Sequence, residues 1–168
     1  MGKIIAIANQ KGGVGKTTTA INLSASMALA GREILVIDID PQGNTTSGLG
    51  FDRTEISSSI YDVFSGSLEI KNIILKTEVE NLSLAPSSID LIAAEVELVD
   101  VQGREFVLKR ALQTVKDQYE YIIIDCPPSL GLLTLNGLVA AHSVLVPVQC
   151  EYYALEGLGM LSRTIELV

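Results

Sequence analysis

The chain has little cysteine, no surplus of positive charge and no long apolar run. Only two cysteines, Cys126 and Cys150, occur in 168 residues. They lie far apart without C-x-x-C spacing, which excludes a disulfide-built scaffold and leaves buried structural thiols as the expectation. Twelve Lys and Arg stand against twenty Asp and Glu, a formal charge of −8. That balance excludes a surface that is basic overall, so any nucleic-acid contact requires a local patch. No stretch reaches the roughly 18 apolar residues of a membrane helix. The N-terminal apolar run is too short for the core of a signal peptide. Met1-Gly2 is followed by Ala6 where a myristoylation signal needs Ser or Thr. No repeat, low-complexity segment or linker stands out. The lone histidine, His142, falls between a helical pattern and a strand-like run, and a helix C-terminal cap is its expected role.

What is present is a one-domain chain with 48% hydrophobic residues, enough for a substantial core. Ile- and Val-rich runs recur at 3 to 8, 33 to 38, 121 to 125 and 143 to 148. Their near-continuous apolarity predicts strands buried on both faces, as in a parallel sheet. Helical patterns lie between them at 16 to 30, 104 to 117 and 131 to 141, with Gly31 placed to end the first. Between 54 and 100 the pattern is less regular: a short helix near Ser59 to Phe64, a strand near Leu82 to Ala85 and an acidic helix near Ile89 to Val99. The alternation predicts an α/β fold with a doubly wound, mostly parallel sheet.

The most informative stretch is Lys11-Gly12-Gly13-Val14-Gly15-Lys16-Thr17-Thr18, set between the first strand and the first helix. Glycines there let backbone N–H groups turn inward on an anion, and the helix N-terminus adds partial positive charge. Lys16 is expected to meet the β and γ phosphates, and the Thr17 hydroxyl to hold Mg²⁺. The ordinary phosphate-loop pattern also requires glycine at position 10, where Gln10 stands, so Lys11 calls for its own explanation. Two acidic motifs also fall at strand ends, where open α/β sheets bind ligands. One is Ile37-Asp38-Ile39-Asp40-Pro41-Gln42-Gly43-Asn44, and the other is Ile122-Ile123-Ile124-Asp125-Cys126-Pro127-Pro128. Asp38 and Asp40 are expected to point to opposite sides, with one facing the phosphate. Asp125 is expected to hold Mg²⁺ through water. Glu151, after another strand end, reads equally as a nucleotide or dimer contact and as a solvated carboxylate.

Together these motifs resemble the ParA/MinD family of deviant Walker A ATPases. Gln42-Gly43-Asn44 after Asp40-Pro41 is most similar to the chromosome- and plasmid-partitioning branch, ParA or Soj. The resemblance implies a phosphate-loop NTPase with ATP and Mg²⁺ as cofactors, nucleotide-binding residues from Lys11 to Thr18, and Thr18 on the α-phosphate. It implies that Lys11 reaches the partner's γ-phosphate across an ATP-closed homodimer, and that Asp40 positions the attacking water and helps order the Mg²⁺ shell. Asp38 would support the strand end and switch region. It further implies non-specific DNA binding, a ParB-like stimulatory partner, no stable membrane insertion, and a cytoplasmic, nucleoid-associated protein. Because family members continue beyond the point matching Val168, residues 1 to 168 are expected to be the N-terminal two-thirds of one such domain. The alternatives are a MinD-like membrane-cycling switch and an ATP-dependent ligase of related fold, which generally lacks the lysine at position 11. The iron–sulfur relatives place their ligand cysteine several residues beyond this strand, whereas Cys126 directly follows Asp125.

Overall fold

The computed structural model describes residues 2–150 and 154–166. Five parallel strands form the body of the sheet: β1 (Lys3–Ile7), β2 (Ile34–Asp38), β4 (Leu82–Ala85), β5 (Tyr121–Asp125) and β6 (Ser143–Leu145). The two-residue β3 (Leu75–Lys76) pairs antiparallel with β4 at one edge. The order across the sheet is β3-β4-β2-β5-β1-β6. β1, β2 and β5 are therefore central neighbours, and their carboxyl ends bring the three motifs together. Register aligns Ile7 and Asp38 with Asp125 on either side of β5.

Alternate residues of the central strands feed two separate cores. Leu35, Ile37, Ile122 and Ile124 face one side, with α3 (Ile60–Phe64), α4 (Leu91–Glu97), α5 (Val107–Leu112) and α6 (Leu132–Ala140) packed over it. Ile7, Ile34, Val36 and Ile123 face the other, covered by Ala20 and Ala28 of α1 (Lys16–Leu29). Burial on both faces explains why these strands read as unbroken apolar runs. Each Ile or Val so enclosed contributes about 1.5–3 kcal/mol relative to exposure, which fixes the frame from which the loops project.

Gly31 ends α1 as expected. At φ 80 its N–H donates to the Ala28 carbonyl and that of Arg32 to Met27, a Schellman stop. The helix expected over 104 to 117 is shorter. A 3₁₀ turn (Arg104–Phe106) leads into α5, after which i→i−3 bonds take over and the Thr114 hydroxyl donates to the Ala111 carbonyl. The strand expected over 143 to 148 stops at Leu145. Pro147 has no N–H for a ladder, and its carbonyl accepts from Asn9 Nδ2 at 2.8 Å. Beyond β6, the last helix, α7 (Ala154–Glu166), follows. β3, α2 (Asn44–Gly48) and a 3₁₀ turn at Ile70–Asn72 were not anticipated.

His142 does not cap a helix. The C-cap of α6 is Ala141, and the His142 ring instead accepts the Ile4 N–H at Nδ1, 2.9 Å, while the backbone N–H of His142 donates to the Ile4 carbonyl at 2.8 Å. It extends the pairing between β1 and β6 where the main chain runs out. Cys126 is buried as expected, its thiol pushed upward in pKa by burial and the Asp125 charge. Cys150 is exposed, in the loop beyond β6, and so is not a buried structural thiol.

Candidate functional site

The loop between β1 and α1 wraps a concave face. Gly13 and Gly15 adopt φ of 73 and 91, a left-handed conformation that side chains oppose by roughly 1–2 kcal/mol. Gly15 is the N-cap of α1, and no side chain among the described residues caps that helix end. Its first amides are therefore available to an anion. Val14 is buried and seats the loop, and Asn9 anchors its start by accepting the Lys11 N–H at Oδ1, 3.1 Å. On the outer side Gln149 Nε2 donates to the Gly13 carbonyl at 3.1 Å.

Lys16 folds back along the loop, donating from Nζ to the Lys11 carbonyl at 3.1 Å. Its side chain is nearly buried, and desolvation pulls the ammonium below its ordinary pKa although the charges of Asp125 and Asp40 pull the other way. The cavity here is about 330 Å³. Gly12, Gly13, Gly15, Lys16, Thr17, Thr18 and Asp40 line it, together with Gln42, Asn44 and Pro128. A cavity of about 350 Å³ beside Phe51 and Ile73 contains none of these groups.

Beneath the cavity sits Asp125, 1% exposed at the end of β5. Its Oδ2 accepts from Thr17 Oγ1 at 2.9 Å and from Thr45 Oγ1 at 2.6 Å. Its Oδ1 is buried and has no hydrogen-bond partner among the described residues. Burial raises this carboxyl's pKa, against the two threonine hydroxyls, with the Asp40 charge adding to the rise and Lys16 opposing it. A buried carboxylate oxygen left open beside a threonine hydroxyl fits a hard divalent cation such as Mg²⁺, which takes oxygen ligands.

Asp38 and Asp40 divide their work differently from the expected alternation. Residues two apart in a strand share a face, and what separates these two is the end of β2 at Asp38. Asp38 is fully buried. Its Oδ1 accepts the Asp40 N–H at 3.2 Å, and its Oδ2 accepts both the N–H and the hydroxyl of Thr46 at 2.8 Å. Thr46 is the third residue of α2, whose N-cap Gly43 supplies no side chain, so Asp38 caps that helix from across the turn. Desolvation raises the Asp38 pKa to about 7 despite the Thr46 and Asp40 donors. Asp40, past the strand end, lines the cavity, and its Oδ1 accepts the Gln42 N–H at 2.9 Å.

Of the anticipated residues, the structure gathers Gly12, Gly13, Gly15, Lys16, Thr17, Thr18 and Asp40 around one cavity with Asp125 below them. Lys11 is half-buried at the head of the loop. Glu151 lies outside the described residues. Thr45 was missed, as were the cavity positions of Gln42, Asn44 and Pro128. Gln42 and Asn44 had served only as branch markers, and Thr45 meets Asp125 across 80 positions of sequence.

A glycine-rich loop feeding a helix N-terminus, a lysine folded along it, and strand-end carboxylates beneath define a phosphate-loop nucleotide-binding protein. The AAA domain family matches residues 2–168. The chain belongs to that family and, within it, to the ParA/Soj branch of the ParA/MinD proteins. It is 58% identical over its whole length to the sporulation initiation inhibitor protein Soj of Bacillus subtilis, covering 66% of that protein. It is 57% identical to the chromosome partitioning protein ParA of Myxococcus xanthus, again over its whole length and covering 59% of that protein. Among solved structures, it superposes on a cobyrinic acid a,c-diamide synthase of Mycobacterium smegmatis with bound ADP and magnesium. The TM-score is 0.96 at 46% identity, over 100% of this chain and 68% of that one. The chain thus spans about two thirds or less of the length of these two curated relatives.

Proposed function

We propose that the protein is an Mg²⁺-dependent ATPase that cycles between a monomer and an ATP-closed homodimer. Its proposed role is to drive chromosome or plasmid partitioning through non-specific DNA binding, in the nucleoid-associated cytoplasm. A ParB-like partner stimulates turnover. The observation that carries the ATPase reading is the buried Oδ1 of Asp125, without a hydrogen-bond partner among the described residues, under a helix N-terminus that none of them caps with a side chain and that holds Lys16. The partitioning role draws on the relatives named Soj and ParA.

Residue roles follow from the chemistry. The amides of the loop and the Lys16 ammonium take the charge of the phosphate tail. Thr17, Asp125 and Asp40 hold the metal's oxygen shell. Mg²⁺, when bound, neutralises charge developing on the phosphoryl oxygens. Asp40 orients the attacking water from the turn that begins at its own residue. Thr18 bonds the α-phosphate. Lys11 acts across the dimer on the partner's γ-phosphate, as an arginine finger does.

A second reading, an ATP-dependent synthase, draws on the name of the M. smegmatis structure and on the similarity to it. The experiment that tests both measures phosphate release with ATP and Mg²⁺, alone, with duplex DNA, and with a cobyrinic acid plus ammonium as the nitrogen donor an amide requires. The ATPase reading expects Mg²⁺-dependent release, and the partitioning role expects a salt-sensitive, ATP-dependent DNA mobility shift. Release only with the acid substrate would establish the synthase instead, and ATP-dependent binding to anionic vesicles would favour a membrane-cycling switch.

A further inference from the structure

The segment from Asp40 to Gly43 is a tight turn closed by the Gly43 N–H on the Asp40 carbonyl at 2.9 Å. In such a turn the carbonyls of the two central residues, here Pro41 and Gln42, have no partner within it. Arg53 takes both. Its Nη2 donates to the Pro41 carbonyl at 2.9 Å and its Nη1 to the Gln42 carbonyl. The guanidinium lies so close to the turn that a Cβ on residue 43 would sit 2.5 Å from Nε, and Gly43 also has a left-handed φ of 62. The left-handed backbone favours glycine at 43, and a side chain there would push the guanidinium off the turn.

The loop that brings Arg53 is itself fixed. The Phe51 N–H donates to the Thr46 carbonyl at 3.3 Å, and Asp52 Oδ1 accepts the Thr54 N–H at 2.9 Å and its hydroxyl at 2.7 Å. Arg53 is half-buried, and its Nε is buried without a hydrogen-bond partner among the described residues. With its Nη atoms on two carbonyls of one turn and its Nε buried against that turn, Arg53 is held in place as a freely solvated surface arginine is not.

We propose that Arg53 is a positioning residue that straps the Asp40 turn from outside while Asp38 holds the Asp40 amide from inside, so that the Asp40 carboxylate keeps one direction over the cavity. This rests on the ATPase reading. A planar fork with two parallel donors suits two carbonyls of one turn, whereas a lysine ammonium is a point donor that holds them less rigidly.

The test compares wild type, Arg53→Ala and Arg53→Lys in the full chain, by steady-state ATP hydrolysis and by amide hydrogen exchange of residues 40–46. Misplacement of a reacting group costs up to about a hundredfold in rate. The expected result for Arg53→Ala is a kcat lower by about tenfold, a KM for ATP within about threefold of wild type, and faster exchange across 40–46. Arg53→Lys should fall between, and it carries the comparison if Arg53→Ala does not fold. Unchanged kcat with unchanged exchange would overturn the proposal, as would loss of ATP affinity in step with the rate. If wild type itself released no phosphate the ATPase reading would fall, and exchange at 40–46 would alone decide whether Arg53 straps the turn.

Discussion

Asp38 accepts the backbone N–H and the side-chain hydroxyl of Thr46 on a single carboxylate oxygen, both at 2.8 Å. The first of these bonds caps α2, and the second orients the hydroxyl so that its oxygen accepts the Ser87 N–H at 3.0 Å. One buried carboxyl therefore ties the end of β2, the start of α2 and the exit of β4 into a unit.

That position makes stability depend on pH. With the Asp38 pKa raised from 3.8 to about 7 by burial, the folded chain binds a proton through that window which the unfolded chain has lost. Stability therefore falls as pH rises between those values and levels off above them. Asp38→Asn should flatten this slope, while also disturbing the cap. Denaturant melts of both proteins at several pH values would show it, and parallel curves would mean that Asp38 titrates at its ordinary value.

Lys16 is the cation at the head of the proposed phosphate site. Lys16→Ala should lose ATP and ADP affinity together, by at least tenfold, since it removes a desolvated charge–phosphate contact. Fluorescent-nucleotide titration measures this directly, and affinities within a few-fold of wild type would remove the phosphate-loop assignment.

Asp40 is assigned to water rather than to the nucleotide. Asp40→Ala should bind ATP normally, accumulate as the dimer and release phosphate about a hundredfold more slowly. Sedimentation in ATP alongside a phosphate assay reads both effects. Unimpaired turnover would transfer the role to another group.

Lys11 should matter only when two subunits meet. Lys11→Ala is expected to bind ATP with wild-type affinity yet to neither dimerise nor hydrolyse it, with a rate loss of about 10³-fold or more. Size-exclusion chromatography with and without ATP is the check, and an ATP-dependent dimer of normal strength would argue that Lys11 serves only its own loop.

The parts of this molecule that sequence made legible are those with a local signal. β1, β2 and β5 read as apolar runs because both of their faces are covered, and the phosphate loop reads as a run of glycines because its backbone needs φ values that other residues resist. α2 was invisible for the opposite reason. Asn44-Thr45-Thr46-Ser47-Gly48 has no apolar period, and the helix exists because Asp38 caps it from another element. Thr45 and Arg53 were missed on the same ground: each acts on a partner brought close only by the folded sheet. The expectation of opposite sides for Asp38 and Asp40 misapplied the pleat, which puts residues two apart on one face; the two do differ in role, because β2 ends at Asp38 and Asp40 lies in the turn beyond it. His142 misled because its position after a helix was visible, whereas its pairing with Ile4, 138 positions away, was not.

The open N-terminus of α1 ties the protein's folding to its ligand. An anion that completes those amides binds the native chain and not the unfolded one, so it shifts the folding equilibrium by mass action, by about 2.7 kcal/mol at a hundred times its Kd. The ligand-free chain is then the least durable form of the molecule. The surrounding nucleotide concentration would set both how much protein is active and how long each copy survives proteolysis.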